Sequence, residues 1–252
     1  MYFDTHTHLD DEKFAADRQA VIEKVYQSGV TLAVNIGADM ESSEASVALS
    51  MQYDFIYAAV GVHPHAVEAM TEADIDTLRK LARCDKVVAI GEIGLDYYYD
   101  NAPRDLQKKW FRRQIELAQE LGLPYVVHDR DAHADTLEII RSAGYFRGVL
   151  HCYSGSSEMA RELLDLGLYI SFAGPVTFKN GKKAREAAAV VPLDRLLVET
   201  DSPYLSPEPL RGKRNDSANV ILVANEIAAI KGISQEEAAR ITTENGRRFF
   251  GI

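Results

Sequence analysis

The feature that most constrains the fold is an alternation of short apolar runs with longer amphipathic stretches along almost the whole chain of 252 residues. The short runs are rich in β-branched residues and predict strands, whereas apolar residues in the longer stretches recur at helical spacing. The eight runs begin at Tyr2, Thr31, Phe55, Lys86, Pro124, Gly148, Leu168 and Arg195. This α/β pattern indicates parallel β–α–β units. Eight units favour a (β/α)8 TIM barrel, although a doubly wound open sheet has the same local pattern.

The boundaries of the helices are also marked in the sequence. Several predicted helices stop at a glycine before the next strand, and these glycines are Gly29, Gly122, Gly144 and Gly167. Helices are expected over Asp105–Leu121 and Ala218–Lys231, followed by an additional C-terminal helix that a capping box at Ser234 and Glu237 would begin. No linker or charge run divides the chain, so we expect one barrel domain over residues 1–252.

Composition and charge limit the class of protein. Hydrophobic residues make up 46% of the chain and charged residues 26%, which is typical of a globular protein and disfavours disorder. The net charge of -10 disfavours broad electrostatic binding to duplex nucleic acid. Cys84 and Cys152 have neither metal-ligand spacing nor the number that a disulfide framework needs. No signal peptide and no apolar run of ~18 residues is present, so we expect a cytoplasmic protein without membrane association; a monomer is compatible with these features.

A second pattern places potential ligands or titratable residues near the ends of six of the eight runs. The residues at corresponding positions are His6, Asn35, His63, Glu92, His128, His151, Gly174 and Asp201. The carboxyl ends of parallel barrel strands meet at one face, which is where barrel enzymes place their chemistry. We therefore expect the histidines and acids of this set to converge on one site.

The residue types in this set suit a metal site. His6 and His8 lie two apart on a strand and point the same way, so they could chelate a cation or form a hydrogen-bonded core pair. Glu92 follows the apolar run VVAIG, where a carboxylate needs a metal or a basic partner. Its two oxygens could bridge two metals. With His128 and His151 it makes a set of two imidazoles and one carboxylate, a common catalytic ligand group.

Two further residues are candidates for catalysis. Asp201 would lie beside strand one at the end of strand eight, where it could bind a metal and accept a proton from water, or form a turn before Ser202. His63 has the phase to face the site, and a substrate or phosphate contact is favoured over a further metal bond. His65 and His133 are expected at the rim or surface. Asp4 is expected to support the site or the fold, and Asn35 and Asp96 are expected either to support the site or to contact substrate.

The basic and aromatic residues point to the substrate. Phe178–Arg185 carries four positive charges and no acid, and a second basic loop contains Arg211, Lys213 and Arg214. Both loops would lie on the rim beside the metals, where they are either solvated or bind an anionic substrate, with phosphate foremost. Aromatic residues predicted near the same rim could stack on nucleic-acid bases, and they are Tyr97, Tyr98, Tyr99, Tyr153 and Phe178.

Taken together, the motifs resemble the TatD family of metal-dependent deoxyribonucleases and hydrolases, within the amidohydrolase-like TIM barrels. The matching motifs, in family order, are FDTHTHLD at Phe3, GVHPH at Gly61, GEIGLDYY at Gly91, PYVVHDRDA at Pro124, LHCYSG at Leu150, LLVETDSPYL at Leu196 and NGRRFFG at Asn245. One departure is Asp216-Ser217, where the family often has Glu-Pro. It affects the loop after strand eight and leaves the candidate ligands unchanged.

The resemblance implies two divalent metal ions, Mg²⁺, Mn²⁺ or Zn²⁺, on one face of the barrel. By matched position, His6, His8 and Asp201 would hold one ion and His128 and His151 the other, with Glu92 between them. His63 would contact phosphate. The implied activity is a 3′–5′ exonuclease that cleaves single-stranded DNA or another phosphate-containing substrate, with Asp201 accepting the proton of a metal-activated water.

Two other readings remain open at this stage. The same binuclear site could hydrolyse another ester or amide, for example a lactone or a D-aminoacyl-tRNA. Many relatives of that kind bridge their metals with a carboxylated lysine on strand four, and Glu92 at this position favours the nuclease branch. The second alternative is a non-catalytic barrel that binds nucleic acid, which the loss of ligands would indicate; none is missing.

Overall fold

The computed structural model describes residues 1–252 and contains one eight-stranded parallel sheet. The strands are β1 (Tyr2–Thr7), β2 (Val30–Ile36), β3 (Ile56–Val60), β4 (Val87–Asp96), β5 (Tyr125–Arg130), β6 (Gly148–Leu150), β7 (Tyr169–Phe172) and β8 (Leu196–Val198). They are ordered β1 to β8, and every neighbouring pair is parallel. The predicted (β/α)8 barrel is confirmed.

The barrel closes between β1 and the segment after β8 through backbone and side-chain hydrogen bonds, and the backbone N–H of Asp201 donates to the carbonyl of His6 at 2.9 Å. An isolated bridge joins Thr7 to Ser202, and their hydroxyl oxygens lie 2.7 Å apart. Deeper in the barrel, the Thr5 hydroxyl donates to the carbonyl of Val198 at 2.9 Å. These bonds join the first and the last strand of the sheet, so residues after β8 lie beside residues of β1.

Nine α-helices surround the sheet, and the additional C-terminal helix is confirmed as the ninth. They are α1 (Arg18–Gln27), α2 (Met40–Gln52), α3 (Glu72–Leu81), α4 (Arg104–Leu121), α5 (His133–Ala143), α6 (Ser157–Asp165), α7 (Lys182–Val190), α8 (Val220–Lys231) and α9 (Gln235–Phe250). Short 3-10 segments lie at Glu12–Phe14, Val67–Ala69, Gly174–Thr177, Leu193–Arg195 and Ser217–Asn219. The last of these replaces the predicted start of α8. None of the helices has the length and apolar character of a membrane span.

The two ends of the barrel differ in polarity. At the amino ends of the strands, α9 packs against the barrel, and the Phe250 ring lies 5.8 Å from that of Phe3. The interior near the carboxyl ends instead holds polar side chains, including His6, Glu92 and Asp96, all buried. The polar end is therefore the one that can carry chemistry.

The strand bounds correct one prediction. Glu92 does not end its strand, because β4 continues through Asp96. His128 likewise lies within β5, whereas His63 and Asp201 each lie three residues beyond β3 and β8. The residues converge on one site although they lie at different positions relative to the ends of their own strands.

Candidate metal centre

Glu92 lies at the centre of the polar cluster, and its two carboxylate oxygens face different histidines. Oε1 is 2.8 Å from His151 Nε2, 2.9 Å from His128 Nδ1 and 3.6 Å from His63 Nε2. Oε2 is 3.4 Å from His6 Nε2 and 3.9 Å from His8 Nε2. The side chain is 5% exposed. Its surroundings contain imidazoles and no lysine or arginine partner within ion-pair distance.

The Oε2 side of Glu92 is completed by Asp201. The Nε2 atoms of His6 and His8 are 3.2 Å apart, and Asp201 Oδ1 is 3.8 Å from the first and 3.5 Å from the second. His8 Nδ1 lies 2.9 Å from the carbonyl of Ile36, to which it donates. The lone pair of the neutral ring is then on Nε2, pointing into the group.

The Oε1 side is oriented by two outer carboxylates. His151 Nδ1 lies 3.2 Å from Glu199 Oε1, and His128 Nε2 lies 3.1 Å from Asp96 Oδ2. The remaining nitrogens, His151 Nε2 and His128 Nδ1, are 3.4 Å apart and face Glu92. Carboxylates behind ligand histidines fix the tautomer and the ring orientation in metal sites.

The electrostatics of the cluster keep its carboxylates ionised. Burial alone would raise the pKa of Glu92, but His151 and His128 outweigh it and hold the pKa well below its usual range. The pKa of Asp201 is lowered as well, because the His8 hydrogen bond and the nearby imidazoles exceed the effect of burial. Burial would lower the pKa of His8, yet Asp201 and Glu92 raise it to about 9. The cluster therefore attracts positive charge, as protons or as metal cations.

The donor set fits divalent metal ions. Three groups have donor atoms within 4.8 Å of one another: His6, His8 and Glu92; His63, Glu92 and His128; and His6, His151 and Glu199. The facing Nε2 atoms of His6 and His8 satisfy each other only when one carries a proton, whereas a cation satisfies both lone pairs. Imidazole and carboxylate ligands suit Zn²⁺, Mn²⁺ and Fe²⁺, and the carboxylates also admit Mg²⁺.

His63 lies at the edge of the cluster, with its Nε2 3.6 Å from Glu92 Oε1. Its ring centroid is 4.4 Å from that of His128, and it belongs to one of the three groups able to bind a metal. Burial is the main cause that lowers its pKa well below the usual value, so the ring is neutral. His63 therefore lies close enough to Glu92 and His128 to bind a metal with them. The contact between His63 and phosphate stays a prediction.

The other predicted histidines divide between the site and its periphery. His65 was expected at the rim or surface, and its side chain is 31% exposed, but its Nε2 is 2.8 Å from Asp96 Oδ2. It therefore belongs to the wall of the site through Asp96. His133 Nδ1 is 2.6 Å from Asp129 Oδ2, a pairing at the start of α5.

Asp4 and Asn35 support the site without facing its centre. Asp4 is fully buried and accepts from the hydroxyl and the backbone N–H of Thr200 at 2.6 and 2.9 Å. Burial raises its pKa to about 7. Asn35 donates to Asp10 and to Ser46, each at 2.7 Å. Both residues fix the backbone next to β1, which agrees with the predicted supporting roles.

Sequence reasoning missed Glu199. Its side chain is 1% exposed, and Oε1 accepts the backbone N–H of Cys152 at 2.6 Å in addition to its contact with His151. The signal was available, because Glu199 lies in the apolar stretch LLVET, where a carboxylate is as costly as Glu92 in VVAIG.

The arginines of the two predicted basic loops make contacts within the protein. Arg214 forms an ion pair with Asp17, with N–O distances of 2.6 and 2.8 Å. Arg185 donates to backbone carbonyls, among them that of Val176 at 3.2 Å. Arg211 lies 4.2 Å from the centre of the Phe178 ring. Of the four exposed lysines in the two predicted loops, Lys182 lies 3.7 Å from Glu186, and the other three form no ion pair.

The rim aromatics also differ from the prediction in part. Tyr153 is buried, and its hydroxyl donates to the carbonyl of Ser156 at 2.7 Å, so it packs in the core and cannot stack on a base. The Tyr97 hydroxyl donates to Asp135 at 2.6 Å. Tyr98 and Tyr99 are the exposed members of the set.

Comparison with known proteins agrees with this geometry. The family model described as TatD related DNase matches residues 3–251. The chain is 47% identical to "Uncharacterized metal-dependent hydrolase YabD" of Bacillus subtilis, over 100% of both chains. It is 34% identical to "3'-5' ssDNA/RNA exonuclease TatD" of Pantoea vagans, over 99% of both. The crystal structure of YjjV, a TatD homologue of Escherichia coli, superposes with a TM-score of 0.94 at 29% identity, covering 100% of this chain and 98% of that one. With a matching family model, a matching fold and a metal-capable site, this chain belongs to the TatD family of metal-dependent hydrolases.

Proposed function

We propose that the protein is a deoxyribonuclease that hydrolyses phosphodiester bonds from the 3′ end of single-stranded DNA with two divalent metal ions. The observation that carries the proposal is Glu92, whose two oxygens face separate histidine groups. A carboxylate placed in this way suits a bridge between two cations. Paired cations serve phosphodiester hydrolysis because they stabilise both the attacking and the leaving oxygen of an in-line displacement.

In this proposal, His6, His8 and Asp201 would hold one ion, His128 and His151 would hold the other, and Glu92 would contribute to both. The ions are Mg²⁺, Mn²⁺ or Zn²⁺. When bound, they supply Lewis-acid polarisation of the phosphodiester and lower the pKa of water. The outer carboxylates Glu199 and Asp96 hold the two histidines of the second group in the tautomers that this arrangement needs.

Two residues complete the chemistry. Asp201 is ionised and its side chain is 15% exposed, against 5% for Glu92, so it is the carboxylate with access to an attacking water, whose proton we assign to it. His63 is neutral, is 13% exposed and can donate one hydrogen bond to a phosphate oxygen. Proton acceptance and phosphate positioning are thereby divided between opposite sides of Glu92.

The choice of single-stranded DNA has two supports. The Pantoea vagans relative is named as an exonuclease of single-stranded DNA and RNA. The net charge of -10 disfavours the wrapping of a duplex.

The proposal is tested by replacing Glu92. For Glu92→Ala and Glu92→Gln, we expect metal content to fall and the rate on a 5′-labelled single-stranded oligonucleotide to fall by roughly 10³-fold or more, since metal stabilisation of the transition state amounts to several kcal/mol. Glu44→Gln on the exposed surface of α2 is the matched control. Wild-type metal content and rate in the Glu92 variants would show that the bridging assignment is wrong.

A second comparison separates the substrate from the metal site. The metal-replete wild-type protein is assayed on single-stranded DNA, a lactone and D-aminoacyl-tRNA under the same conditions. Cleavage of DNA from the 3′ end supports the proposal. Cleavage of one of the other substrates, without DNA hydrolysis, would leave the metal assignment standing and refute the nuclease activity.

A further inference from the structure

Two exposed tyrosines stand at the metal-centre face of the barrel. Tyr98 and Tyr99 follow the end of β4 and are 59% and 55% exposed. Their ring centroids are 5.0 Å apart, at an interplanar angle of 86°. Aromatic side chains that remain this accessible at the mouth of a site are available to a ligand, and nucleobases are the ligands that stack on them.

An arginine lies over both rings. The guanidinium carbon of Arg130 is 4.0 Å from the Tyr98 centroid and 4.7 Å from that of Tyr99. Arg130 is the last residue of β5 and lies two residues after His128, so both side chains project from the same side of the strand. No acidic side chain forms an ion pair with Arg130, in contrast to Arg214. Its N–H groups are therefore free for an anion.

The tyrosines are held at a fixed position relative to the metal centre. Asp96 Oδ1 accepts the backbone N–H groups of Tyr98 and Tyr99 at 3.0 and 2.9 Å. The other oxygen of the same carboxylate lies 3.1 Å from His128 Nε2. One side chain thus orients a candidate metal ligand and shapes the turn that presents the two rings.

We propose that Tyr98, Tyr99 and Arg130, the aromatic–arginine cluster, form a nucleotide subsite for single-stranded DNA. A base beside the scissile phosphate stacks on the tyrosines, and Arg130 donates to a backbone phosphate with its planar guanidinium. The inference deepens the proposed function and rests on it for the reaction, whereas the binding step is measured independently. Stacking of one base contributes about 1–3 kcal/mol, or roughly 5- to 150-fold in affinity.

The first experiment measures binding without cleavage. A 5′-fluorescein hexathymidylate with phosphorothioate linkages is titrated with metal-replete protein, and fluorescence anisotropy gives Kd. We expect Tyr98→Ala and Tyr99→Ala each to raise Kd at least about fivefold. Tyr26→Ala, which removes a ring 56% exposed beside Phe55 at the opposite end of the barrel, leaves Kd unchanged.

The second experiment measures how the affinity for the oligonucleotide depends on salt, which distinguishes a phosphate contact by Arg130 from base stacking on the tyrosines. Loss of one phosphate contact on a single strand reduces the slope of log K against log salt by about 0.7. We expect this reduction for Arg130→Gln and an unchanged slope for the two tyrosine variants. Arg83→Gln, an exposed position before β4 at the other end of the barrel, is the control.

The third comparison tests whether a base is what the rings bind. An otherwise identical oligonucleotide with tetrahydrofuran in place of its two 3′ nucleotides should bind the wild type as weakly as the tyrosine variants bind the normal one. Equal Kd values for all variants on the normal oligonucleotide would overturn the subsite, even if the enzyme cleaves DNA. Tyrosine-dependent binding without cleavage would instead support the subsite and refute the proposed exonuclease activity.

Discussion

At the scale of single residues, the carboxylates behind the histidines decide which nitrogen each ring presents. Glu199 accepts at His151 Nδ1 and leaves Nε2 toward Glu92, whereas Asp96 contacts His128 Nε2 and leaves Nδ1. Opposite ring nitrogens thus converge on one oxygen. A histidine motif in a sequence cannot specify this choice, because it depends on which acid the fold places behind each ring.

Glu199→Gln tests the importance of this outer position. The amide oxygen can still accept from both His151 Nδ1 and the Cys152 backbone N–H, but it no longer carries the charge that increases the basicity of His151. We expect affinity for Zn²⁺ to fall about 10- to 100-fold, as measured by competition with a chromophoric chelator. Glu186→Gln, exposed on α7, should bind Zn²⁺ like the wild type. Unchanged affinity in Glu199→Gln would mean that Glu199 serves only the backbone N–H of Cys152.

His133 offers a pH test outside the metal centre. Its hydrogen bond with Asp129 raises its pKa above the usual value, so the folded state holds the proton more tightly than the unfolded chain. The stabilisation is fully present below the unfolded pKa of about 6.5 and is lost as pH rises through the folded pKa. Urea denaturation of wild type and His133→Gln should therefore give a larger difference in the free energy of unfolding at pH 5.5 than at pH 9. A difference independent of pH would contradict this linkage.

At the scale of elements, periodicity was sufficient to predict the strands and several helices, because the barrel strands are apolar and helices such as α4 and α9 are amphipathic. Periodicity did not predict where individual residues lie within these elements or whether they are buried. Glu92 lies inside β4 because the strand continues for four more residues, which GEIGLD does not reveal. Tyr153 and Tyr98 both follow strands, yet one is buried against Phe172 and the other is exposed, a difference that only tertiary packing determines.

The pairing of β4 with β5 depends on Gly94, which lies between Glu92 and Asp96. Its φ is +144°, and an added Cβ would be 2.0 Å from the carbonyl oxygen of His128. Gly94→Ala should therefore destabilise the protein by about 3 kcal/mol or more, lowering Tm by roughly 6 °C or more for a chain of this length. Gly122→Ala, at a left-handed helix end with no atom within 4 Å, should cost only about 1 kcal/mol. Equal Tm losses in the two variants would contradict the role of this close approach.

At the scale of the whole molecule, stability and chemistry occupy opposite ends of the barrel. The amino ends of the strands are sealed by α9, where Asn245 donates to the carbonyls of Leu193 and Leu196 at 2.6 and 2.9 Å and Phe250 packs near Phe3. The carboxyl ends carry the buried carboxylates and imidazoles whose donor atoms would bind a cation. This division is typical of TIM barrels, and it allows the two ends to be perturbed separately.

The separation predicts two distinct thermal signatures. Zn²⁺ at about 100 times its Kd should stabilise the wild type by about 2.7 kcal/mol, a rise in Tm of roughly 5–11 °C at this chain length. Phe250→Ala should lower Tm in the absence of metal, since it opens a cavity at the sealed end, yet keep the full Zn²⁺ shift. Glu92→Ala should also lower Tm without metal, because it leaves the buried imidazoles of His128 and His151 without their carboxylate partner, but here the Zn²⁺ shift should disappear. Scanning calorimetry of the three proteins with and without Zn²⁺ measures both effects. Loss of the Zn²⁺ shift in Phe250→Ala would show that the two ends of the barrel are coupled through β1, which carries both Phe3 and His6.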